Sequence, residues 1–153
     1  MFRGRVRRFG FALAPVATGL GDAVKDTETS PAATEVLVCT TCRMGQTVPE
    51  GGVRPGALLL AAIQGRALPA GVTVRGVECL SNCDSGCSIV LRGGPARWSY
   101  VYGRLAPAMA DIAVDGVTRY HHAADGLVPW RERPEHFRKN CIARIPPLEI
   151  SDV

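Results

Sequence analysis

The sequence predicts a mixed α/β domain in which a small sheet is backed by two main helices. Three observations predict it. Each of two cysteine groups directly follows a short strand-like run, the stretch between those runs carries a helical pattern, and a hairpin-like segment with a second helical pattern comes after them. A helix crossing between two strands makes them a parallel pair, and a hairpin then adds antiparallel strands. The expected order is strand, helix, strand, strand, strand, helix.

The first strand is read at "TEVLVC", where Val36, Leu37 and Val38 form a short apolar run that ends on Cys39. The following "TTCRMGQTVPEGGVRPG" holds Gly45, Pro49, Gly51 and Gly52 and reads as a loop. Pro55 suits the first position of a helix, "GALLLAAIQGRAL" sets Leu58, Leu59, Ala62 and Ile63 at helical spacing, and Gly65 marks the stop. After a turn from Pro69 to Gly71, "VTVRGVE" alternates as a strand and hands the chain to Cys79. "SIVLR", the turn "GGP" and "RWSYVY" read as a hairpin. Pro107 opens the second helix, with Met109, Ile112, Ala113, Gly116, Val117 and Tyr120 near one face.

Two flanks surround this core of residues 34–124. Residues 1–33 begin with Arg3, Arg5, Arg7 and Arg8 and a weakly apolar run, which imitates a secretory signal. Pro15, Gly19 and Gly21 interrupt the run, so a poorly ordered tail or a start assigned too early is the expectation. Residues 125–153 are rich in proline and read as an irregular extension packed on the core. No segment approaches the roughly 20 apolar residues of a membrane span, and thiols in tight groups suit a reducing compartment, so the expected location is the cytoplasm.

At 153 residues the chain can bury a core without covalent staples, so its six cysteines are not required for stability. Five fall in two groups, "CTTC" at Cys39 and Cys42, and Cys79, Cys83 and Cys87 in "VECLSNCDSGCSI", while Cys141 stands alone. Local groups converge on a metal or redox site more often than scattered half-cystines do. Short spacings let one loop offer several sulfurs at little closure entropy, and a cation compensates their charge. Structural zinc and an iron–sulfur cluster both accept such a set. Dithiol exchange at "CTTC" is the third option. It is disfavoured on the expectation that a helix starting only at Pro55 leaves its dipole out of reach of Cys39 and Cys42.

"VECLSNC" resembles the strand end and turn of thioredoxin-like [2Fe–2S] ferredoxins, including the corresponding subunit of respiratory complex I. There, a first cysteine pair after the first strand is followed, beyond a helix and a strand, by a CxxxC pair. Here 36 residues separate Cys42 from Cys79, room for both elements. The stretch from about Glu35 to Pro147, including the closing "ARIPP", also resembles a bacterial family of predicted metal-binding proteins of unknown function that share a CxxC, a CLSxCxxxC and this ending. The resemblance implies a thioredoxin-like ferredoxin fold with Cys39, Cys42, Cys79 and Cys83 as ligands of a [2Fe–2S] cluster. This chain departs from the ferredoxins in the closer first pair and in Cys87, which is an additional ligand or a small buried neighbour. Cys141 reads as an inert thiol.

The residues nearby fill in the expectation. Arg43, and the backbone N–H groups of Ser81, Asn82 and Gly86, are placed to ease reduction of an anionic cluster. Trp98, Tyr100 and Tyr102 between Arg97 and Arg104 could stack bases, but the net charge is only +4, so packing under a helix or in a homodimer seam is expected and nucleic acid is not. His121 and His122 read as surface residues outside the site. No catalytic triad, phosphate loop or paired carboxylates point to an enzyme. The expected function is electron transfer between redox partner proteins. The alternative is a zinc-binding or metal-delivery protein supporting metal cofactor assembly, with a family association to cobalamin genes.

Overall fold

The computed structural model describes residues 33–148, so the expectation about an N-terminal tail lies outside the described residues except at Ala33. The elements are β1 (Thr34–Cys39), α1 (Pro55–Gln64), β2 (Val72–Val77), β3 (Cys87–Arg92), β4 (Ser99–Leu105), α2 (Ala110–His122), α3 (Glu135–Lys139) and β5 (Cys141–Ile145). They form one five-stranded sheet in the order β2-β1-β3-β4-β5, with β1 and β2 parallel and the other neighbours antiparallel. The expected mixed α/β fold with β-α-β-β-β-α order is present.

Strand alternation decides which face the helices cover. Val36 and Val38 of β1 stand opposite Leu91 and Ile89 of β3, which stand opposite Tyr100 and Tyr102 of β4. All six are essentially inaccessible. Leu59 and Ile63 of α1, and Ala113, Val117 and Tyr120 of α2, complete this layer. Tyr100 meets Tyr120 edge-on, and Tyr102 stacks on Phe137 of α3 with ring centres 3.9 Å apart. The aromatic strand thus packs beneath helices, as its composition suggested.

Two positions assigned to helix cores are exposed instead. Leu58 is 46% and Ile112 39% exposed, because the buried stripe of α1 runs through Gly56, Leu59 and Ile63 and that of α2 is turned toward Ala110 and Gly116. His121, read as a surface residue, is buried. Its Nδ1 lies 3.0 Å from the Thr34 hydroxyl, which also accepts from Arg97 at 2.9 Å. Arg97 goes on to donate to the Tyr120 and Ala123 carbonyls, satisfying two acceptors at the end of α2, with its guanidinium 4.4 Å above the Tyr120 ring.

The stretch read as an irregular extension is part of the fold. After a short 3-10 turn at Trp130–Glu132, α3 presents Phe137 to the space over Gly116, and β5 pairs with β4 to give the sheet its fifth strand. Among the described residues no helix is long and apolar enough to cross a membrane.

Candidate metal centre

Because β1 and β2 are parallel, Cys39 at the end of β1 and the turn after Val77 emerge at one end of the sheet. Antiparallel β3 begins at that end with Cys87. The topology therefore gathers five of the six cysteines, four on the loops that leave the carboxyl ends of the parallel pair and Cys87 at the amino end of the antiparallel β3. Cys141 starts the edge strand β5, opposite Tyr102, and is apart from them. All six are free thiols.

Backbone and threonine contacts zip the two loops together. Thr40 donates to the Val77 carbonyl through N–H (2.8 Å) and hydroxyl (2.9 Å), and Thr41 reaches the Glu78 carbonyl through both groups. The Cys39 thiol is directed at the same Glu78 carbonyl, 3.6 Å away. Helix α1 closes on this junction from below. Gly56 donates its N–H to the Cys42 carbonyl, and a Cβ there would collide with the Cys39 carbonyl. Arg54 adds a bond to the Thr41 carbonyl at 3.3 Å. The expectation that the helix start stays out of reach of "CTTC" is thus overturned, because the loop of residues 43–54 folds back and returns the helix N-terminus to the motif.

Each loop also turns one backbone N–H onto a sulfur. Met44, at φ 54°, donates to Cys42 Sγ at 3.4 Å, and Ser81, at φ 55°, donates to Cys79 Sγ at 3.2 Å. In both cases the donor is the second residue after the cysteine and sits in the sparsely populated left-handed region, a cost retained where the surroundings fix it. The expected donor at Ser81 is therefore present, whereas Asn82 is held through its side chain to Ser88 Oγ at 2.8 Å.

Burial and contact sort the thiols. Cys39, Cys42 and Cys87 are buried, while Cys79 and Cys83 are exposed. Cys79 and Cys83 lie close enough to perturb each other, as do Cys42 and Cys87. The Ser81 N–H, with help from Cys83, holds the Cys79 thiol below its ordinary range, and Cys79 in turn pushes Cys83 up. Burial, followed by its neighbour Cys42, pushes the Cys87 thiol up to about 12. No three or more His, Cys, Asp or Glu side chains among the described residues form a group that could hold a single metal ion as they stand. Beside Cys83 a cleft of about 400 Å³ opens between the loops, flanked by Arg43, Arg54 and Asp84. A larger one, about 520 Å³, lies at the other end of the sheet between Glu35, Arg92 and Ile145, away from every thiol of the group.

The donor set fits a thiolate-bound metal group: soft sulfurs on two loops, N–H donors aimed at two of them, and Cys39, Cys42 and Cys87 belonging to the apolar core. The contact of Cys87 with Cys42 is the feature that sequence reasoning left open, and its only signal was the even spacing of Cys79, Cys83 and Cys87.

A family model described as "Protein of unknown function (DUF1636)" matches residues 36–147. No curated protein matches the chain. Among solved structures, the chain is similar to the wild-type thioredoxin-like [2Fe-2S] ferredoxin from Aquifex aeolicus at 18% identity, over 73% of this chain and 98% of that one, with a TM-score of 0.45.

Proposed function

The chain belongs to the DUF1636 family, and with that as premise we propose that it is an iron–sulfur electron-transfer protein, its [2Fe–2S] cluster held by Cys39, Cys42, Cys79 and Cys83. The observation that carries this reading is the matched pair of loops, each presenting a cysteine whose sulfur accepts the N–H of the left-handed residue two positions on. Such donors lower the charge on a bound thiolate, one of the levers that set a cluster's potential. The two loops supply two cysteines each, a four-thiolate set of the kind that would hold a [2Fe–2S] cluster.

The group supplies one-electron chemistry when bound. This chain's residues hold and insulate it. Cys39 and Cys42 anchor the buried side, and Cys79 and Cys83 form the exposed side where a partner approaches. Cys87, buried beside this set, is the further thiol that could join it as an additional ligand or line it as a small neutral neighbour. Arg43 and Arg54 beside Cys83 contribute positive charge near an anionic cluster. In this reading the protein works in the cytoplasm, passes single electrons between redox partner proteins and performs no substrate chemistry itself.

Anaerobically purified, iron-replete protein should be reddish brown with about two irons and two sulfides per chain. Cys83→Ser should bleach the visible spectrum or change its paramagnetic resonance, because an alkoxide is a harder ligand than a thiolate. Cys87→Ser should keep the cluster with a modest shift in potential. Colourless protein carrying stoichiometric zinc after reconstitution with iron and sulfide would overturn the reading. Cluster loss in Cys87→Ser with an unchanged cluster in Cys83→Ser would overturn the ligand set.

A further inference from the structure

Exposure divides the five grouped thiols. Cys39, Cys42 and Cys87 lie at 4%, 1% and 0% exposure, so a solute in water reaches their sulfurs only if the core opens. Cys79 and Cys83 are exposed and share one short turn, four residues apart. The turn keeps them together: the Ser81 N–H holds Cys79 Sγ at 3.2 Å, and Asn82 between them is fastened to Ser88. Thr41 fixes the strand end that precedes the turn by bonding the Glu78 carbonyl. A solvent-accessible thiol with a second thiol poised beside it is the arrangement of oxidant-sensitive cysteine pairs.

We propose that Cys79 and Cys83 are a peroxide-oxidisable dithiol, and that closing it as a disulfide shuts the metal centre from its exposed side. The first half stands on the geometry of the turn alone, and only the second rests on the function proposed above. The Cys79 sulfur attacks a hydroperoxide oxygen, an S–O bond forms as the O–O bond breaks, Cys79 is left as a sulfenic acid, and one molecule of alcohol, or of water when the oxidant is hydrogen peroxide, departs with the thiol proton. The Cys83 sulfur then attacks that sulfur, the S–S bond forms, the S–O bond breaks, and water departs with the thiol proton. Two thiols lose two electrons and the peroxide gains them.

The test uses the full chain, stripped of metal and reduced, then exposed to hydrogen peroxide, alkylated and mapped by mass spectrometry. Two of the six thiols should disappear, with an intramolecular Cys79–Cys83 disulfide in their place and Cys39, Cys42 and Cys87 alkylated only after unfolding. In Cys83→Ser the Cys79 sulfenic acid should persist and be trapped by dimedone. A disulfide that joins Cys79 or Cys83 to any other cysteine, Cys141 included, or loss of the buried thiols first, would overturn the proposal. So would survival of Cys79 and Cys83 under a dose that oxidises free glutathione. Reconstitution with iron and sulfide separates the two halves. Oxidised protein should take up at least about tenfold less than reduced protein and recover after dithiothreitol. Equal uptake overturns the gating. A reduced chain that takes up nothing yet still forms the disulfide overturns the metal reading and leaves the dithiol standing.

Discussion

At the scale of single residues, the thiol end of the sheet depends on groups that carry no sulfur. Gly56 lets α1 approach the Cys39 carbonyl more closely than any side chain permits. Gly56→Ala should therefore push the helix off the thiol loop, costing about 1–3 kcal/mol in denaturant unfolding and lowering iron content on reconstitution. Gly94→Ala is the control, since a Cβ there meets nothing within 4 Å, and it should change neither. His121 provides a second residue-scale expectation. Burial first, then the charges of His122 and Arg97, hold its folded pKa below the ordinary 6.5. As pH falls through that value the unfolded chain takes up a proton that the folded chain refuses, so stability declines on going from about pH 7.5 to 5.5. The urea midpoint should follow that slope in the native chain and flatten in His121→Gln. Parallel slopes in the two proteins would remove His121 from the account.

At the scale of elements, the end of the chain is built into the core. Phe137 of the five-residue α3 stacks on Tyr102 and fills the space above Gly116, so Phe137→Ala should cost about 3–5 kcal/mol in an equilibrium unfolding experiment, a core-sized loss. The sequence showed β1, α1, β2, β3 and β4 because each has either an apolar run or alternation in step with a buried face. It hid α3, which is too short for a helical period, and β5, whose residues are nearly all exposed and so show no alternation. The site was legible in the same uneven way. That Cys39, Cys42, Cys79 and Cys83 share one end of the sheet follows from strands that end beside them. That Cys87 meets Cys42, and that α1 returns to "CTTC", depended on the start of an antiparallel strand and on a loop folding back, neither of which spacing along the chain encodes.

At the scale of the whole molecule, the sheet has a thiol end and a thiol-free end, and the first exists only when two distant stretches of chain meet. Thr40 and Thr41 bond to Val77 and Glu78 across 37 residues. On a ribosome adding about 5–20 residues per second, the second loop emerges roughly 2–7 s after the first. During that interval Cys39 and Cys42 have no β2 turn to close against, and the crossover through α1 must be completed before the parallel pair can form. Nascent chains stalled before Cys79 should hold no iron when captured from iron-replete cells. The zipper between the loops therefore sets a birth order in which the first thiol loop waits for the second before the thiol end exists.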